Sequence, residues 1–168
     1  GMGYRLAAAV NLEQSVDGVR LAVAWLHREG PSFGLDTHKI HIGGSSAGGH
    51  LTGAVLADGW RTDYGLPHDM IGAALALSGI FDLEPLLHTK INTWLNMDMG
   101  TVVALSPIRH IPAKTDAQLV LSVGGLERGG FPRETQSYHD AWAAAGHALQ
   151  NIAMPGYNHF DINATLAD

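Results

Sequence analysis

Strands alternating with helices predict an α/β layered domain, a mostly parallel sheet flanked by helices. Three observations in the 168-residue chain lead there. Apolar residues at three- and four-residue spacing near the start mark an amphipathic helix. A β-branched run ending in glycines comes next, and three further short apolar runs follow downstream, each bounded by turn residues.

Taken in order, Leu12, Val16, Val19, Ala22, Val23 and Leu26 share one helical face. Asn11 and Gln14 have the spacing of a capping box and Gly30-Pro31 stops the helix, which is predicted over residues 12–28. Residues 33–37 read as a loop. Residues 39–43 form a buried strand that runs into a tight turn. Residues 47–57 are helical, with Gly48, Gly49 and Gly53 lowering helix propensity while permitting close packing on a sheet. The continuous apolar runs 73–77, 118–123 and 149–153 suit strands buried on both faces of a parallel sheet. Helices are predicted near 91–96 and 134–145, with a last one starting near Phe160. No repeat or linker interrupts the pattern, so residues 1–168 are expected to form one domain.

Composition narrows the function. Ten Lys+Arg against 16 Asp+Glu leave a net charge of −6 with neutral histidines, which argues against nucleic acid or an anionic membrane as the main partner. Apolar residues at 46% supply a core and exclude wholesale disorder. Charged residues make up only 15% of the chain, against roughly 25% in ordinary soluble domains, so a covering partner, most simply a second copy, is expected. The absence of cysteine excludes disulfides, thiolate zinc sites and a cysteine nucleophile. With neither a bilayer-length apolar run nor a secretory signal, the expected location is cytoplasmic. Gly1-Met2 reads as a tag remnant ahead of a start methionine.

Gly44-Ser45-Ser46-Ala47-Gly48 matches Gly-x-Ser-x-Gly between a predicted strand and a predicted helix, the context in which that pattern has chemical meaning. So sharp a turn needs small flanking residues and lifts the serine oxygen above the sheet, which makes Ser46 the candidate nucleophile. The Ala47 amide, at the start of the following helix, is the candidate oxyanion donor. The bland alternative is a Gly/Ser-rich turn that merely packs helix on strand.

A serine nucleophile needs a base and an orienting acid, which in this kind of fold come in the chain order serine, acid, histidine. His159, in the loop after the last predicted strand, is the candidate base, and Glu127, in the loop after the strand at 118–123, is the candidate acid. Asp82 is the rival acid, its alternative role being the N-cap of a short helix. His38 and His41 point to opposite faces around a strand and no zinc motif is present, so no metal is expected. His50 is expected to pack near the turn, and Phe131, Tyr138, Trp142 and Tyr157 are expected in the core.

These stretches resemble the α/β-hydrolase superfamily, and within it the esterase branch that contains the kynurenine formamidases (arylformamidases). The likeness is carried by residues 41–50, by Val123-Gly124-Gly125-Leu126-Glu127 with Phe131, and by Gly156-Tyr157-Asn158-His159-Phe160-Asp161. Residues 77–83 and Ser106-Pro107-Ile108 extend it over nearly the whole chain. The resemblance implies Ser46 as nucleophile, Glu127 where many relatives have Asp, and His159 as base, with no cofactor. It also implies a His-Gly-Gly loop ahead of Tyr4-Arg5-Leu6, yet no histidine here is followed by glycine. The chain therefore reads as a partial fold lacking its first strands, with one oxyanion donor fewer and an open sheet edge that favours a homodimer. Two functions remain in view: a serine hydrolase of esters or aryl formamides, and an impaired remnant that associates through that edge.

Overall fold

The computed structural model describes Gly3 and residues 11–166. Gly1-Met2 and Tyr4-Arg5-Leu6 lie outside the described residues. Helix α1, Leu12–Glu29, begins with the expected capping box. Asn11 Oδ1 accepts the Gln14 N–H at 2.8 Å, and Gln14 Oε1 accepts the Asn11 N–H at 3.2 Å. Val16, Val19 and Val23 turn inward and are buried, each burial being worth about 1.5–3 kcal/mol against exposure.

Four strands follow: β1 (Ile40–Ser45), β2 (Ile71–Leu77), β3 (Gln118–Gly124) and β4 (Leu149–Met154). They pair in the order β1-β2-β3-β4, every neighbour parallel. The register aligns Ser45 with Leu77, Leu77 with Ser122, and Gly124 with Met154, so all four carboxyl ends and the loops leaving them share one end of the sheet. Helix α2 (Ala47–Leu56) packs on β1 and β2, and α6 (Phe131–Ala144) packs on β3 and β4. Between them come the short helices α3 (Trp60–Asp63), α4 (Asn92–Leu95) and α5 (Met99–Leu105).

One expectation about the sheet is corrected. Each crossover steps one strand in the same direction, so right-handed connections put α2 and α6 on the same face. On that face Ala74, Ala76, Leu119 and Leu121 are buried in one cluster with Val16, Tyr138 and Trp142. The alternate positions Ala73, Leu75 and Val120 are only half-buried, and β4 is exposed along most of its length, so the runs at 73–77, 118–123 and 149–153 are not buried on both faces. An apolar run alone does not report how many layers cover it.

The helices also differ in detail. Helix α6 starts three residues earlier than predicted because Pro132 suits a first turn, where a missing N–H is harmless. The segment at 91–96 keeps a single turn that ends at Asn96 with φ +49°, and the last helix is a 3-10 helix, Asp161–Leu166. Helix α5, capped by Asp98 Oδ1 accepting the Thr101 N–H at 2.8 Å, has no counterpart among the predicted elements.

Candidate active site

The turn after β1 positions Ser46. Its N–H donates to the Leu77 carbonyl at 2.9 Å, continuing the β1–β2 ladder, and its φ of +56° then swings the chain directly into α2. A Cβ on Gly44 would lie 2.4 Å from the Gly48 carbonyl oxygen, and one on Gly49 would lie 2.8 Å from the Gly79 Cα, so both positions require glycine for packing. Serine before a helix usually caps it with its own oxygen. Ser46 makes no such bond, and its Oγ instead donates to His159 Nε2 at 3.0 Å.

His159 and Glu127 arrive on the loops leaving β4 and β3. Those loops are stitched together: the Gly125 N–H donates to the Met154 carbonyl at 2.8 Å and the Leu126 N–H to the Tyr157 carbonyl at 3.0 Å. Asn158 Oδ1 accepts the Phe160 N–H at 2.8 Å, a local turn that sets the histidine just ahead of the terminal 3-10 helix. The Glu127 side chain has no exposed surface, and its Oε2 accepts from His159 Nδ1 at 2.7 Å. Because a carboxylate only accepts, Nδ1 carries the ring proton, which leaves Nε2 free to accept from Ser46.

Glu127 Oε1 takes the Gly124 N–H at 2.8 Å and the Ser78 hydroxyl at 2.5 Å. Burial pushes the Glu127 carboxyl up, but these donors and His159 together outweigh it and hold the group below its ordinary value. The site therefore keeps a buried, ionised carboxylate behind the imidazole.

Ser46, Glu127 and His159 are thus brought together, and Ala47 stands as the first residue of α2, where backbone N–H groups lack helical acceptors. Asp82 is not part of this group. Its Oδ1 accepts the Glu84 N–H at 3.1 Å ahead of a 3-10 helix, Glu84–His88, and meets Arg109 Nη2 at 3.5 Å. His50 packs beside the turn as expected, buried with Nδ1 donating to the Ile80 carbonyl at 2.9 Å.

Tyr138 and Trp142 are core residues, but Phe131 and Tyr157 are not. Phe131 is half-buried and stacks on the His159 ring, with centroids 4.4 Å apart, and Tyr157 is exposed on the loop before it. Phe131 opens α6 and Tyr157 lies in a loop, both following strand ends where burial cannot be read from residue type. Phe131 also lines a cavity of about 250 Å³ with Ile80, Leu86, Ile91 and Arg133, and so is the residue that links this space to the imidazole. Sequence reasoning missed two further groups. Ser78 lies in the 77–83 stretch that carries the resemblance but has no role assigned by it, and Glu134, buried on α6, accepts the Phe81 and Asp82 N–H groups at 3.0 and 2.8 Å, clamping the loop after β2.

Comparison with known proteins agrees with this architecture. The BD-FAE family profile matches residues 1–122, a span that includes Ser46 and ends before Glu127 and His159. Kynurenine formamidases of Danio rerio and Salmo salar are each 27% identical over 99% of the chain, which spans 56% of their length. Among solved structures, a Silicibacter sp. TM1040 protein provisionally described as a thioesterase superposes with a TM-score of 0.80 at 27% identity, covering 99% of this chain and 58% of its own. Esterase B from Lactobacillus rhamnosis gives a TM-score of 0.75 at 18% identity, with 99% and 62% covered. The fold is that of α/β-hydrolase esterases, of which this chain represents a part. Among the described residues no helix is long and apolar enough to cross a membrane.

Proposed function

The chain belongs to the BD-FAE family, and from that premise we propose that it is a serine hydrolase, working as one domain on a carboxylic ester or an aryl formamide through an acyl-enzyme. Ser46 Oγ attacks the substrate carbonyl carbon while its proton passes to His159 Nε2. Glu127 Oε2, hydrogen-bonded to Nδ1, stabilises the imidazolium that forms. The oxyanion is met by the Ala47 N–H at the positive end of α2. Collapse of the tetrahedral adduct sends the proton from Nε2 to the departing alcohol or arylamine and leaves the acyl or formyl group on Ser46. A water deprotonated by His159 then releases it.

The observation that supports this reading is the unbroken hydrogen-bond line from Ser46 Oγ through His159 to the buried Glu127. The substrate class draws on the neighbouring esterases and formamidases, and on the mainly apolar cavity that Phe131, stacked on His159, helps to line. A fluorophosphonate probe should label Ser46. Hydrolysis of p-nitrophenyl acetate or formanilide should fall by about 1000-fold or more in Ser46→Ala. Turnover that survives the substitution would overturn the assignment.

A second reading concerns association. β1 is an edge strand with no partner on its outer side among the described residues, and an apolar cavity of about 270 Å³ lined by Val23, Leu26, Ile42, Leu51 and Val55 runs beside it. An unpaired edge beside an apolar groove favours pairing with a second copy. Analytical ultracentrifugation should find a dimer that dissociates when a proline replaces Ile42. A monomer at all concentrations would reject this reading.

A further inference from the structure

We propose that Ser78 is a positioning residue for the triad, its hydroxyl fixing the Glu127 carboxylate that orients His159; this rests on the serine-hydrolase reading above. Ser78 follows β2 directly. Its N–H donates to the Ser122 carbonyl at 2.8 Å, so its backbone still belongs to the sheet, yet its φ is +48°. A residue with a Cβ seldom adopts that conformation, which persists only where the surroundings over-determine it. Ser78 is fully buried, and no water can substitute for the partner its hydroxyl has found.

That partner is Glu127 Oε1, at 2.5 Å. The two oxygens of the carboxylate thus have separate duties. Oε2 holds His159 Nδ1, while Oε1 is held by the Ser78 hydroxyl and the Gly124 N–H. Glutamate has one more rotatable bond than aspartate, so it needs more fixing to present one oxygen to an imidazole. Two donors from two different strand ends, converging on the same oxygen, remove that freedom. The Ser78 hydroxyl is bonded to Glu127 and acts through it.

The test uses Ser78→Gly, which removes the hydroxyl while suiting the left-handed backbone, so the fold is retained. With p-nitrophenyl acetate, kcat should fall by about 10-fold with KM within about twofold, since the loss is of orientation rather than of binding. In the proton NMR spectrum the downfield Nδ1–H resonance of His159 should move upfield and exchange faster with water. Ser78→Cys, with a weaker donor of similar size, should fall between the two and serves if the glycine variant is unstable. The NMR reading does not need turnover, so it stands even if Ser46→Ala shows the hydrolase assignment to be wrong. An unchanged Nδ1–H resonance in folded Ser78→Gly, or an unchanged kcat in an active enzyme, would overturn the role of Ser78.

Discussion

The ends of β1 and β2 make an instructive pair. Each strand is followed directly by a serine with positive φ, +56° at Ser46 and +48° at Ser78, and each serine donates its N–H to the next strand, at 2.9 and 2.8 Å. The positive φ and the bond to the next strand are shared, but the surroundings are not. Ser46 is half-buried and faces a histidine that reaches solvent, whereas Ser78 is fully buried and faces a carboxylate. A serine of positive φ at the end of a parallel strand thus lifts a hydroxyl out of the ladder, and in the proposed mechanism the accessible one attacks while the buried one can only hold. Glu127 joins the two, one oxygen bound to Ser78 and the other, through His159, to Ser46.

The sharpest way to break this pairing is Glu127→Gln. The glutamine carbonyl would have to face the Ser78 hydroxyl and the Gly124 N–H, both donors, which turns its NH₂ toward His159 Nδ1. The imidazole would then carry its proton on Nε2, aimed at Ser46, and could no longer accept the serine proton. Turnover should fall on the order of 10,000-fold, as expected for the wrong tautomer, with the thermal midpoint little changed. Activity within about tenfold of the parent would mean that Glu127 does not set the tautomer.

The two strand ends were not equally legible. The β1 end could be read because its constraints are local: Gly44, Ser46 and Gly48 sit within five residues, and the glycines leave no room for a Cβ at Gly44. Glu127 and His159 are chosen from their positions in the loops after predicted strands, and hydrogen bonds link Glu127 to His159 and His159 to Ser46. Ser78 could not be read, because residues 77–83 enter only as part of the resemblance, with no role for the serine, and its partner lies 49 residues away. Phe131 failed for a related reason, since residue type favours the core while its place at the start of α6 puts it over the imidazole. The layering of the sheet is misread when short apolar stretches are assumed to be covered on both faces, although Gln150 and Asn151 in β4 already mark it as exposed.

His50 ties the two ends together and offers a pH-dependent test. It lies one turn into α2 from Ser46, and its Nδ1 donates to the carbonyl of Ile80, two residues beyond Ser78. Burial, with a smaller contribution from Arg20, outweighs the hydrogen bond to Ile80 and brings its pKa down to about 4 from 6.5. The folded protein thus binds this proton less readily than the unfolded chain. The stability from a neutral His50 is complete above pH 6.5 and is lost as pH falls toward about 4, some 3 kcal/mol in order of magnitude. His50→Asn keeps an N–H for Ile80 without titrating, so the difference in urea midpoint between parent and variant should shrink or change sign as pH falls through that window. A difference independent of pH would show that the strand ends are not joined through a neutral imidazole.

The smallest expected effect separates contact from propensity at the place where the two ends touch. Gly48 and Gly49 are neighbours in the first turn of α2, and alanine would favour the helix at either by up to about 1 kcal/mol. A Cβ at Gly48 meets nothing within 4 Å, whereas one at Gly49 would lie 2.8 Å from the Gly79 Cα and 2.9 Å from the Leu77 carbonyl oxygen. Both obstacles are backbone of the β2 end and cannot turn aside. Gly48→Ala should therefore leave stability unchanged or slightly raised, while Gly49→Ala should lower it by about 2 kcal/mol through overpacking. Gly49→Ala should also lower kcat, because prising α2 from Gly79 moves Ser46 relative to the loop that carries Ser78. Equal thermal midpoints for the two variants would mean that the β1 and β2 ends are not pressed together, and the coupling of the two serines through Glu127 would lose its structural basis.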